Sequence, residues 1–348
     1  MPMPAARVRA NNFDAIRLTL AAVVAAVHVA VLSGEAGLAW IPRVLSSSLA
    51  VKAFFVVSGF LIVMSFEHSA NWRAYAERRV RRLYPAYAVV IVLSALALWL
   101  VSGRSAPEYF GPSWWKYVAA NLAFLNFPAP TLPGVFDANA IRTVNGALWT
   151  LKVEVLFYAA VPFLVWLCRR AGWQVILPLA YLGSFAYVSL LRLVGGPHPD
   201  GLYEALQRQL PGQLAYFVSG AALYYGFSWF EPRLRPLSAI AALILLVNLA
   251  VPIPLVEPAA IAVVVIAIAF AGMAIPAGKY GDFSYGLYIL HFPVIQLIVQ
   301  AGWFAGRPLG LFITAMTLAL LGAVLLWHLV EKRWLHASSH YRQAVVAR

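Results

Sequence analysis

Charge is scarce in this sequence, and so is cysteine. Asp, Glu, Lys and Arg make up 11% of the 348 residues against 62% hydrophobic ones, a balance at which a soluble chain of this length could not hide its apolar surface. The mean hydropathy of +0.78 agrees, and the chain belongs in lipid. Acidic residues number 13 and basic ones 26, a net charge of +13. The Lys and Arg fall in short clusters between long apolar runs, so they read as a membrane-orientation signal and no nucleic-acid partner is expected. The single cysteine, Cys168, excludes an intramolecular disulfide and a Cys-based metal cluster. The seven histidines are scattered, with no pair at ligand spacing on one helix, so no metal is expected either. A G-x-S-x-G elbow, a Walker loop, a dinucleotide fingerprint, a Gly/Ser linker and a strong internal repeat are all lacking.

What the sequence does hold is apolar runs near 20 residues long. They predict an all-α, polytopic integral membrane bundle of about ten transmembrane helices: 13–33, 44–66, 84–101, 147–168, 173–194, 212–230, 237–255, 259–276, 283–303 and 309–330. The first follows Arg7 and Arg9, is long, and lacks a small-residue cleavage site, so it reads as an uncleaved signal anchor. An even count puts both termini on one side. With that side cytoplasmic, sixteen of the 26 basic residues fall inside, among them Arg7, Arg9, Arg342 and Arg348, and seven fall outside. The one long connection, 102–146, is rich in Pro, Gly, Asn and Trp and reads as interfacial or re-entrant, since its apolar piece Trp114–Phe127 is too short to span. A single integral domain, 1–348, is expected, with any chemistry inside the bundle.

Ionisable groups within spans are costly and become functional candidates. Arg17 and His28 lie eleven residues apart in the first span, about 20° beyond three full turns and roughly 16 Å along the axis, so they share a face. His28 is read either as an imidazole base or as an interhelical hydrogen-bonder, and Arg17 either as a charge at a cavity mouth or as a snorkelling side chain. In the second span, Ser58 within FFVVSGF is a weak nucleophile candidate, and Ser58 with Gly59 suits close helix packing better. RRVRRLYP, Arg78 to Pro85, is expected to end a cytoplasmic loop; its guanidiniums suit a phosphate-bearing cofactor or anionic lipid. ALWTLKVEVLFY opens the fourth span with Trp149 at the interface, Glu154 two turns in and Tyr158 at i+4 from it. Glu154 could tune an imidazole, accept from a sugar hydroxyl, or pair with Lys152. DFSYGLYILHFP opens the ninth span, where Ser284, Tyr288 and His291 form one polar stripe, lining a cavity or bonding a neighbouring helix.

Taken in order, these segments resemble the acyltransferase family 3 membrane proteins, from FDAIR at 13–17 through the last span. The matching features are Arg17 followed eleven residues on by His28, the SGF of Phe54 to Phe60, the RRxxRxxP of Arg78, Arg79, Arg82 and Pro85, the WxxxxE…FY of Trp149, Glu154, Phe157 and Tyr158, and the SYxLYxLH of Ser284, Tyr285, Tyr288 and His291. The resemblance implies a membrane O-acyltransferase that moves an acyl group from acetyl-CoA, or another acyl-CoA, to a sugar hydroxyl of a surface or exported glycan. It implies His28 as catalytic base, by direct deprotonation or as transient acyl carrier, Glu154 as site acid, and Arg17, Arg78, Arg79 and Arg82 as acyl-CoA contacts. Asp14, Ser58, Trp149, Tyr158, Ser284, Tyr285, Tyr288 and His291 would line the site. Many members carry two adjacent acidic residues where this chain has Glu154 and Val155. The implied location is a bacterial inner membrane, with membrane lipid around the bundle and a separate periplasmic partner enzyme if a second protein finishes the transfer. The competing reading is a membrane transporter or lipid-linked glycan carrier using the same polar residues without acyl chemistry; the lack of an inverted repeat and of paired broken helices speaks against it.

Overall fold

The structure, a computed structural model, describes residues 11–196, 201–270, 275 and 277–336. Arg7, Arg9, Arg342 and Arg348, counted toward the cytoplasmic face, lie outside the described residues, as do 271–274 and 276 of the eighth predicted span. The described residues form helices and no strand, which is the all-α architecture expected. The principal helices are α1 Phe13–Ser33, α2 Ser47–Glu67, α3 Trp72–Ala97, α4 Pro112–Leu122, α5 Trp149–Ala171, α6 Trp173–Gly195, α7 Leu210–Tyr225, α8 Leu234–Ala250, α9 Glu257–Phe270, α10 Ser284–Gln300 and α11 Pro308–Leu326.

A helix occupies each of the ten predicted spans, and with their flanking turns seven of them, α1, α2, α3, α5, α6, α8 and α11, are long and apolar enough to cross a membrane. The protein is a multi-pass membrane protein. Among the described residues the other three are shorter, with 16 residues in α7, 14 in α9 and 17 in α10. At about 1.5 Å per residue α7 reaches roughly 24 Å, less than a hydrocarbon core of about 30 Å.

The third span departs most from expectation. It was predicted to begin at residue 84 behind a loop, yet α3 starts at Trp72 and carries RRVRRLYP inside it, Pro85 included. The cause is local: Ala, Glu and Arg are good helix formers, and Glu77 and Arg81 form an i,i+4 ion pair of 2.8 Å on the exposed face. In the long connection, Pro112 starts α4, which buries Trp114, Tyr117 and Asn121 and leaves Trp115 exposed. Its eleven residues cannot span.

The chain divides into two compact units, one of Met1–Ile16, Val51–Ala76 and Val153–Pro276, the other of Arg17–Ala50, Glu77–Lys152 and Ala277–Arg348. In the first, α7 packs on α6 and α9, and α8 on α9. The FFVVSGF segment supplies the tightest approach. A methyl at Gly59 would sit 1.9 Å from the Phe217 carbonyl oxygen, and one at Gly220 would sit 2.0 Å from that of Val56, so glycine on both helices lets the backbones touch. Phe157 stacks on Phe217 beside them at 4.1 Å. In the second unit α10 packs along α11. α11 continues through a π-helical turn, Trp327–Glu331, whose Trp327 ring occupies the space a side chain on Gly281 would need.

Candidate active site

The polar residues of the second unit gather at two stations on α1 and α10. At the first, Asp282 stands in the connection that precedes α10, its side chain buried. One carboxylate oxygen accepts from Arg17 Nη2 at 3.0 Å and from Arg82 Nη2. The other accepts from the Ser284 backbone N–H at 3.1 Å and from the Ser284 hydroxyl. Arg82 reaches onward to the buried Glu331 at 3.4 Å and lies over the Trp327 ring at 5.7 Å from its centroid. Burial alone would raise the Asp282 carboxyl; the guanidiniums of Arg17 and Arg82, with the Ser284 hydrogen bonds, outweigh it and hold the group well below the usual carboxylate range. Two forked cations and a saturated carboxylate are what make a buried charge tolerable here.

At the second station His28 Nδ1 and His291 Nε2 are 2.8 Å apart. His28 is partly exposed and His291 is fully buried. The ring planes differ by 12° and the centroids lie 5.1 Å apart. That separation suits two imidazoles meeting edge to edge through one N–H···N bond, and is too long for face-to-face stacking at van der Waals contact. The Phe292 ring meets His28 edge to face, with centroids 5.4 Å apart and planes at 78°. One turn before His291, the Tyr288 hydroxyl meets the Thr150 hydroxyl at 2.7 Å, and both reach the Ala147 carbonyl, Thr150 at 3.1 Å and Tyr288 at 3.5 Å. Tyr285 donates to the Leu83 carbonyl at 2.9 Å. Arg17 meets Asp282 and His28 meets His291, so α1 and α10 run parallel, as the first and ninth spans of the predicted alternation would.

The expected stripe of Ser284, Tyr288 and His291 is present, and each member is engaged: Ser284 on Asp282, Tyr288 on Thr150, His291 on His28. Arg78 and Arg79 are half-buried on α3, and Trp149 is half-buried at the start of α5. In the first unit, Glu154 Oε1 accepts from the Tyr158 hydroxyl at 2.6 Å, and the Tyr158 carbonyl accepts from Tyr75 at 3.2 Å. Ser58 and Asp14 are half-buried there, Asp14 in the first turn of α1, where a carboxylate suits the helix dipole. Four participants escaped the sequence reading: Asp282, Glu331, Thr150 and Asn145, whose side chain donates to the Ile289 carbonyl of α10 at 2.8 Å. An acid at the edge of an apolar run was the available signal for the first two; the others are neutral and gave none. Among the described residues no group of three His, Cys, Asp or Glu side chains could hold a metal.

Three comparisons bear on this arrangement. A family model described as an acyltransferase domain matches residues 11–328. The chain is 26% identical to nodulation protein 10 of Rhizobium leguminosarum bv. viciae, over 92% of each chain. It is 28% identical to an O-acetyl transferase of Shigella phage Sf6, over 95% of this chain and 98% of that one, and 26% identical to the exopolysaccharide production protein ExoZ of Rhizobium meliloti, over 78% and 84%. No solved structure matches significantly.

Proposed function

The chain belongs to the acyltransferase family whose model covers residues 11–328, and we propose that it is an O-acyltransferase, most simply an O-acetyltransferase, with His28 as its base. The donor in this reading is acetyl-CoA or another acyl-CoA presented at the cytoplasmic face of a bacterial inner membrane. The acceptor is a sugar hydroxyl of a surface or exported glycan. The 348 residues act as one integral-membrane domain with both termini cytoplasmic, and a separate periplasmic enzyme completes delivery where one is needed. Relatives named for O-acetyl transfer and exopolysaccharide production support the substrate class.

The observation that carries the reading is the imidazole of His28, a partly exposed ionisable ring in the apolar middle of α1, held at one nitrogen by His291. A thioester is already activated, so a positioned base suffices. The acceptor hydroxyl gives its proton to His28 as its oxygen bonds to the thioester carbonyl carbon; the C–S bond then breaks, and the departing thiolate takes the proton back. Glu154 serves as the site acid, and Arg17, Arg78, Arg79 and Arg82 serve the donor, with Asp282 keeping Arg17 and Arg82 in place. The test is transfer of label from radiolabelled acetyl-CoA to membrane glycan. His28→Ala should lower it about 10²- to 10⁴-fold while the protein still inserts. Undiminished transfer by a stably inserted variant would sink the proposal, and glycan movement without label would favour the carrier reading.

A further inference from the structure

The hydrogen bonds around the imidazole pair have a direction. His291 Nδ1 lies 3.2 Å from the Leu287 carbonyl oxygen, one turn back on α10. A carbonyl only accepts, so Nδ1 of His291 carries the proton. In the neutral ring that leaves His291 Nε2 bare, an acceptor, and the atom 2.8 Å away is His28 Nδ1. His28 Nδ1 must then be the donor, which leaves His28 Nε2 without a proton. The chain runs from His28 through His291 to a main-chain carbonyl, and every position in it is decided by the last acceptor. The near-coplanar rings put the lone pair and the N–H on one line, as such a bond requires. His291 is fully buried, with Phe292 beside the pair, so water does not supply a competing partner for His291.

We propose that His291 is a positioning residue: bonded to the Leu287 carbonyl, it holds His28 in the tautomer protonated at Nδ1, so that Nε2 is the nitrogen that removes the acceptor proton. This rests on the reading of His28 as base. It gives His291 the place that a carboxylate takes in other base-orienting arrangements, with one difference. A neutral imidazole orients by accepting a hydrogen bond and adds no negative charge, which suits an apolar interior where a carboxylate would itself need a partner. When Nε2 takes a proton, the imidazolium charge is shared along the bond toward His291 and the Leu287 carbonyl dipole.

The tautomer is directly observable. Solid-state ¹⁵N NMR of the histidine-labelled full-length protein in bilayers, with His28 assigned by loss of its resonances in His28→Gln, should show Nδ1 protonated and Nε2 bare. In His291→Phe the acceptor is gone, and the His28 signal should become a mixture of both tautomers. That variant should lose about 10²-fold in kcat with little change in the donor KM, because a wrongly protonated base still binds substrate. His291→Gln, whose amide oxygen accepts the same bond, should recover most of the loss. A His28 protonated on Nε2 in the native protein, or native kcat in His291→Phe, overturns the assignment. Normal transfer by His28→Ala would remove the base reading and this inference together, whereas loss of transfer in His28→Ala with the proton found on Nε2 removes this inference alone.

Discussion

The Asn145 side chain donates to the Ile289 carbonyl at 2.8 Å, and Ile289 is the residue whose helical partner four positions on would be Pro293. Proline has no N–H, so the α10 ladder has a gap at that carbonyl. In hydrocarbon such a gap must be filled by a neighbour. Asn145 fills it, and its Oδ1 also accepts from the Ala147 N–H at 3.2 Å, which opens the turn leading into α5. One side chain thereby secures the turn of α10 that carries His291.

Replacing Asn145 should therefore act on stability first and chemistry second. Asn145→Ala leaves a buried carbonyl unpaired, a loss of about 1–3 kcal/mol. Thermal unfolding of the detergent-purified protein should register it, together with a fall in acyl transfer as α10 loosens near His291. An unchanged melting temperature would mean that Ile289 finds another donor.

Asp282→Asn should be more damaging, because it removes the carboxylate that the guanidiniums of Arg17 and Arg82 share, with Arg82 keeping Glu331. Breaking a buried pair from one side costs about 3–5 kcal/mol, and the expected readout is loss of folded protein from the membrane. The pH dependence has a defined sign. A carboxyl held low by its partners stabilises the folded protein throughout the range above its unfolded value, about 3.9, and the contribution is lost only as pH falls through the lower folded value. Melting temperatures of the native protein measured from pH 5 to 8 should carry no step from Asp282; a carboxyl titration in that range assigned to Asp282 by its side-chain ¹³C resonance would contradict its constraint.

At the α2–α7 contact, Gly59→Ala and Gly220→Ala should each destabilise, since the added methyl meets main chain that cannot swing aside. Overpacking of this kind costs about 1–3 kcal/mol. Size-exclusion profiles and melting curves of the two variants are the check, and a native-like Gly59→Ala would mean that the helices separate freely.

Tyr288 and Thr150 offer a double-mutant cycle. Tyr288→Phe and Thr150→Val should each cost about 1 kcal/mol, and the double variant should cost little more than either alone, a coupling of about 1 kcal/mol. Strict additivity would show that the 2.7 Å contact contributes nothing.

The sequence made some of this plain and hid the rest for physical reasons. The limits of α1, residues 13–33, were readable because an apolar run is bounded sharply by polar residues at both ends. The polar stripe of α10 was readable because its period is that of a helix. The early start of α3 was hidden because a hydropathy scan registers arginines as loop, although arginine is a good helix former. Pairings could not be read at all: His28 and His291 are separated by 263 positions and Asn145 and Ile289 by 144. Spacing within one helix gives the direction a side chain points, and only the packing of α1, α5 and α10 chooses what it meets.

The π-helical turn at Trp327–Glu331 amounts to one residue inserted into the last helix. The stretch before it, which packs on α10, and the carboxyl at its end, which faces Arg82, are thereby phased apart by about 100° relative to an unbroken helix. The faces that α11 presents to α10 and to Arg82 are thus set independently of each other. A change in the length of this turn would rotate Glu331 away from the arginine while leaving every apolar contact upstream as it stands.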